Sequence, residues 1–235
     1  MYSRRLAVLA SFDQMQRFLY LTKSALDQAT NESQAAMKIL QTDDYHDERK
    51  EEIFSLLHDE FIEVNYQFPC MLYSSFLSAW YSFVEHNLIQ LCDDLQLTVS
   101  IKIHERDDAG TGIQRANKFL KEAAKYEVPD KYWQELNRIR QIRNKIVHEN
   151  GELASSVIKP SNEKTVPLHL DSTYEGDPEM LYVRIESNLL QYIEQHALFR
   201  YDRQLYLDPS FDYCLGLVDF GRSLFLEIWK GLELE

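Results

Sequence analysis

Glycine and proline are scarce in this chain, 7 and 6 among 235 residues. Collagen-like, low-complexity and turn-dense β architectures need far more of both, so the composition favours helices. Cysteine is scarcer still and odd in number. Cys70, Cys92 and Cys214 lie far apart among apolar neighbours, which predicts reduced thiols in a cytoplasmic protein, not a disulfide framework or zinc site. No apolar run approaches the ~18 residues of a membrane span. Arg4-Arg5-Leu-Ala-Val-Leu-Ala-Ser-Phe12 imitates a signal peptide, but Asp13 and Gln14 cut the run short, and an amphipathic first helix is expected instead. Positive charge is also in deficit. The 25 Lys and Arg against 38 Asp and Glu leave a net charge of −13, too acidic for a general nucleic-acid binder with an extended basic surface. Walker loops, dinucleotide fingerprints and nucleophile elbows are missing, as are internal repeats and heptad runs.

What is present is a hydrophobic fraction of 45%, enough for one full core, so residues 1–235 are expected to form a single domain. Leu6, Leu9, Phe12, Leu19 and Leu26 give an apolar stripe for a helix over 3–29, followed by a second over 31–41. Thr42-Asp-Asp-Tyr-His-Asp47 is a polar break. A helix over 47–65 follows, with Ile53, Leu56, Leu57, Phe61 and Val64 on one face. Pro69 opens a long aromatic helix over 70–96, lined by Tyr73, Phe76, Trp80, Phe83, Val84, Leu88 and Leu91. Residues 98–111 read as a connection containing a short strand at 98–103, and 112–126 as a helix with Asp107-Asp-Ala-Gly-Thr-Gly112 turning into it. Asp130 is the expected N-cap of the next helix, which Asn150-Gly151 ends. Thr165–Leu170 and Met180–Ile185 flank a turn-rich stretch and predict a β-hairpin inserted at 152–185. Helices over 186–203 and 209–233 complete an otherwise all-α bundle.

Chemistry concentrates near the end of the helix that Asp130 opens. Within Arg138-Ile-Arg-Gln-Ile-Arg-Asn-Lys-Ile-Val-His148-Glu-Asn-Gly151, the pattern Arg143-Asn144-x-x-x-His148 stands out. With 13 Arg, 9 Asn and 7 His in the chain, chance yields about 0.015 such matches. Arginine holds a phosphate with a permanent charge, and histidine exchanges protons near neutral pH. Together they suffice to cleave a phosphodiester without a metal. Trp133, Leu136, Ile139, Ile142, Ile146 and Val147 define the apolar face of this helix, and Arg143 projects between Ile139 and Val147. A guanidinium there needs a carboxylate, a subunit interface or an anionic ligand. The plain alternative is an Arg snorkelling to the surface and a His at a helix end. Residues 131–149 carry five basic and two acidic side chains, a local +3, against −8 for 150–235. Such a basic helix on an acidic body can focus one phosphate while repelling bulk RNA.

Leu136-Asn-Arg-Ile-Arg-Gln-Ile-Arg-Asn-Lys-Ile-Val-His-Glu-Asn-Gly151 resembles the signature helix of the HEPN superfamily, small all-helical domains marked by Arg, a polar residue, three further residues and His. The aromatic helix Ser74–Leu91 and the segment Gly112–Leu120 are similar in order and character to preceding helices of bacterial members. The resemblance covers roughly residues 70–151, and only the Arg–Asn–His element is specific. It implies a helical bundle of HEPN type, a homodimer, and a metal-independent endoribonuclease acting on RNA in a toxin–antitoxin or phage-defence system. An antitoxin or other defence protein would restrain it. No cofactor or metal is implied. Other members have lost activity and serve as RNA-, nucleotide- or protein-binding modules, which is the competing expectation. Toxins silenced by a nucleotidyltransferase often carry Tyr two positions after the motif His; here that residue is Asn150, which weakens such a partnership.

RNA supplies its own nucleophile. An enzyme need only remove the 2′-hydroxyl proton, stabilise the phosphorane and protonate the leaving 5′-oxygen, giving a 2′,3′-cyclic phosphate. His148 suits the proton transfers and Arg143 the phosphorane, with Asn144 orienting either. Arg140 and Lys145 are the expected substrate-binding cations. In an ideal helix, residues five apart diverge by ~140° and ~7.5 Å along the axis. Arg143 and His148 therefore converge only if the helix loosens before Gly151 or if two copies pool their side chains. Asp43, Asp44, His46 and Asp47 read as a capped turn, and His58, Asp59 and Glu63 as a solvated face. Glu85, beside His86 on the aromatic helix, is a candidate partner for Arg143 or Arg140; a closed Arg143–Glu85 pair would make the motif purely structural.

Overall fold

A computed structural model describes residues 2–42, 48–96, 112–154, 166–168, 181–183, 187–202 and 204–233. The chain is mostly helical, so the all-α expectation holds in broad terms. Helix α1 spans Tyr2–Thr42 without the expected interruption near residue 30. No Gly or Pro falls between Tyr2 and Thr42, and Thr30-Asn31 alone does not halt a helix whose propagation is otherwise favourable. Helix α2 (Glu48–Ile62) runs through a wide π-turn, Glu63–Gln67, into α3 (Phe68–Gln96). Pro69 thus lies inside the first turn of α3 and does not open a separate helix. Its missing N–H and its ring are incompatible with an ordinary turn over the Asn65 carbonyl, and the wider turn makes room. The Phe68 N–H donates to the Glu63 carbonyl, and the Asn65 side chain donates to the Phe61 carbonyl at 2.8 Å. Of the face expected on α2, Ile53 and Leu56 are exposed, and only Val64, in the π-turn, is buried.

The core lies where α1, α3, α5 (Asp130–Glu149) and α7 (Phe211–Gly231) meet, with the short α4 (Ile113–Glu122) closing one side over α3. The aromatic face of α3 is buried as its spacing predicts, with Trp80, Val84 and Leu88 inaccessible to solvent. Gly221 on α7 marks the tightest crossing. A Cβ there would sit 2.6 Å from Phe12 and 3.2 Å from Trp80, so only glycine lets α7 approach α1 and α3 so closely.

Two small sheets interrupt the bundle. Strands β2 (Val166–Leu168) and β3 (Leu181–Val183) pair antiparallel with Pro167 opposite Tyr182, at the place the alternating pattern marks. The segments 43–47, 98–111 and 171–178, on which a capped turn, a strand and a hairpin turn were expected, lie outside the described residues. The expected helix over 186–203 is shorter. Helix α6 covers Ser187–Gln195, and β4 (Phe199–Asp202) and β5 (Gln204–Leu207) form a second hairpin. Strand β1 (Glu152–Ala154) joins it, giving the antiparallel order β1-β5-β4. The C-terminal part is therefore not purely helical. Ala197, at φ 48°, ends α6 in the left-handed conformation, and Leu198 donates back to the Ile193 carbonyl at 2.9 Å.

Candidate functional site

Helix α5 is held at both ends and along one face. Pro129, in extended conformation, precedes it and no side chain caps it; Asp130 occupies the first turn, not the expected cap position. There the carboxylate still complements the positive end of the helix dipole. Tyr132, Leu136, Ile139 and Ile142 are buried, Trp133 and Ile146 partly so. Val147 departs from the expected face, being 48% exposed. At the far end Asn150 (φ 53°) and Gly151 (φ 74°) are left-handed, and the Gly151 N–H donates to the Lys145 carbonyl at 3.0 Å. The Gly151 carbonyl then accepts from the Leu207 N–H at 2.7 Å, fastening the helix end to β5.

Arg140, Arg143, Asn144 and Val147 recur at helical spacing along one side of α5, whereas His148 points ~140° away from Arg143. Arg143 is half-buried. Its Nη1 donates to Asn144 Oδ1 at 3.1 Å, while its Nε is shut off from solvent with no acceptor among the described residues. Arg140 donates to Asn137 Oδ1 at 2.8 Å. Lys145 is engaged inside its own helix, 2.9 Å from Glu149 Oε2, and so is less available to a substrate than its sequence position suggests. His148 is exposed on the last turn. The α-helix stays regular through Glu149, so it does not loosen to bring His148 towards Arg143, and no hydrogen bond joins the two. Within one copy, Arg143 and Asn144 stand together and His148 stands apart.

One turn before Arg143, α3, α4 and α5 enclose a cleft of about 100 Å³ lined by Tyr81, Glu85, Gln114, Asn117, Trp133 and Arg140, among others. Tyr81 is buried. Its phenol is pushed up to about 12, first by burial and then by the Glu85 carboxylate, against the opposing pull of Arg140 and Arg143. These four charged and phenolic groups therefore form one electrostatic cluster. No ion pair closes Glu85 onto Arg143 or Arg140 among the described residues, so the closed pair of the purely structural reading does not form. Glu85 instead lies against Gly112 (φ 54°), where any Cβ would overlap its Oε1. The Trp133 indole N–H, hidden from solvent, also lacks an acceptor among the described residues.

Sequence reasoning named Glu85 and Arg140 but missed Tyr81, Gln114, Asn117 and Asn137 as their neighbours. The available signal was spacing: Tyr81 and Glu85 are four apart on α3, as Gln114 and Asn117 are three apart on α4. Among the described residues no three His, Cys, Asp or Glu side chains converge as metal ligands, and His58, Asp59 and Glu63 are exposed. No described helix is long and apolar enough to cross a membrane. Comparisons with family models, curated proteins and solved structures give no match to this chain.

Proposed function

We propose that this protein is a metal-independent endoribonuclease of HEPN type whose site is shared between two copies. The carrying observation lies on α5, where a half-buried Arg143 with an unsatisfied Nε stands beside Asn144, with Val147 and His148 exposed on the following turn. Burying a guanidinium N–H without an acceptor costs about 1–3 kcal/mol, and a phosphate oxygen at that position removes the penalty. The exposed Val147 lies between the polar groups and suits the centre of a two-fold contact, in which the same patch meets itself. Such a contact sets the His148 of one copy near the Arg143 of the other, overcoming their divergence on a single helix.

In the proposed reaction His148 removes the 2′-hydroxyl proton and the 2′-oxygen attacks the adjacent phosphorus. The phosphorane's charge is held by Arg143, and the now-protonated His148 returns its proton to the 5′-oxygen as the P–O5′ bond breaks. A 2′,3′-cyclic phosphate and a 5′-hydroxyl result, and DNA is inert. The setting that goes with this reading is a toxin–antitoxin or phage-defence system with a restraining partner protein. The test is RNA cleavage by the purified chain in EDTA. We expect cyclic-phosphate ends that disappear in His148→Ala and Arg143→Ala variants of unchanged circular dichroism and dimerisation. Equal cleavage by all three proteins refutes the assignment.

A second reading, a non-catalytic RNA-, nucleotide- or protein-binding module, is favoured by a different observation. An open apolar groove of about 490 Å³ runs between α1 and α3, past Met15, Phe18, Leu72, Phe76 and Phe83. Harmless expression of the chain, with no cyclic-phosphate fragments in the cell, selects this reading.

A further inference from the structure

The cleft beside Arg143 has a chemistry of its own. We infer that this cleft is a base-recognition pocket that takes guanine from the RNA strand, next to the phosphate held by Arg143. Its biological use rests on the ribonuclease reading, whereas its capacity to bind a base does not. Size is the first argument. At about 100 Å³ the cleft is well below the volume of pockets that enclose whole drug-sized ligands, so it suits a single ring system with sugar and phosphate left outside.

Position is the second. Arg140, in the cleft wall, precedes Arg143 by three residues on the same side of α5, a rise of ~4.5 Å. That separation places a base in the cleft and its own ribose phosphate at Arg143 without stretching the nucleotide.

The polar lining is the third, and it selects among the bases. Glu85 brings its carboxylate to the lining, with Oε1 close against Gly112. Guanine presents two adjacent donors, N1–H and the N2 amino group, which match a carboxylate's fork; adenine, cytosine and uracil do not present that pair. Guanine's other edge, O6 and N7, accepts two hydrogen bonds, and arginine is the side chain that most often supplies them. Arg140 belongs to the same lining, with Nη2 donating to Asn137 and its other N–H groups left for a base, and Gln114 and Asn117 add amide donors. The partly buried Trp133 ring supplies an apolar surface for the base. A carboxylate and an arginine in one lining, with no ion pair closing them among the described residues, suit the donor edge and the acceptor edge of guanine together.

Binding and cleavage test different parts of this scheme. In the full-length His148→Ala protein, calorimetry with guanosine 5′-monophosphate, against the adenosine, cytidine and uridine monophosphates, reads the pocket without turnover. We expect guanosine monophosphate to bind about tenfold tighter than the others, and Glu85→Gln to abolish that preference, since an amide opposes one of the two donors. Sequencing the 5′-hydroxyl ends made by the wild type should place the cuts beside guanine, and Glu85→Gln should scatter them. Circular dichroism matched to the wild type shows that the variant is folded. Equal affinity for the four monophosphates, or a guanine preference that survives Glu85→Gln, overturns the pocket. Guanine binding with no RNA cleavage supports the pocket and sinks only the ribonuclease assignment. Cleavage at every base with no mononucleotide preference does the reverse.

Discussion

Helices α5 and α7 are almost the same length, 20 and 21 residues, yet they are used in different ways. In α7 nine residues are buried, from Tyr213 to Trp229, and the Ser210 hydroxyl caps its start by accepting from the Tyr213 N–H at 3.1 Å. In α5 only Tyr132, Leu136, Ile139 and Ile142 are buried, and no side chain caps its start. Packing buries nine of 21 residues in one helix and four of 20 in the other. The remaining surface of α5 carries three arginines, two asparagines and a histidine. A helix that the core needs on only one side is free to hold polar groups in fixed relative positions on the other, which is what a binding or catalytic surface requires.

The sharpest way to break this contrast is to alter the free side of α5. His148→Ala and Arg143→Ala should each lower RNA cleavage by ~10²-fold or more while leaving the thermal midpoint nearly unchanged. A large drop in stability with either variant would put these residues with the packing side. Alkaline titration asks the same of the buried phenols. Tyr73 and Tyr81 are pushed up to about 12, and Tyr192 and Tyr213 are also raised, burial being the first cause in each. The unfolded chain loses these protons near pH 10 while the folded chain keeps them, so stability is intact below pH 10 and falls as pH rises towards 12. Tyrosinate absorbance from these residues should appear together with unfolding, read by circular dichroism at the same pH. Ionisation well before unfolding would contradict their burial.

On α7 the corresponding test is Gly221→Ala. Helix propensity alone favours alanine by roughly 1 kcal/mol. Overpacking against Phe12 and Trp80 should outweigh it and destabilise the protein by about 1–3 kcal/mol in urea titration. A stabilised variant would mean that the crossing is looser than its distances. The smallest effect is expected at Lys145. Its surface pair with Glu149 contributes less than about 1 kcal/mol, and Lys145→Met should change RNA cleavage less than about twofold, because the ammonium is already occupied. A tenfold loss of cleavage would restore Lys145 to the substrate-binding role its sequence position suggests.

Legibility in the sequence tracked how much a feature depends on periodicity. The aromatic face of α3, the buried face of α5 and the β2–β3 pairing follow from apolar spacing and were readable. Features set by a local backbone choice were not. Ala197 stops α6 where glycine would have been the visible signal, so Phe199 and Tyr201 of β4 were absorbed into the helix expected over 186–203. The π-turn ahead of Pro69 leaves no mark beyond the proline itself. For the site, the sequence singled out Arg143, Asn144 and His148 and foresaw that a single regular helix separates the first from the last. It could not foresee the cleft, because Tyr81, Glu85, Asn117 and Arg140 belong to three helices whose mutual approach is a matter of packing.

The fastening of Gly151 to Leu207 makes the last turn of α5 mechanically part of the small sheet. Whatever shifts the β4–β5 hairpin therefore also steers the imidazole three residues upstream of that anchor, although the hairpin is about fifty residues away along the chain. A partner that grips the sheet thus has a handle on this end of α5 without covering it.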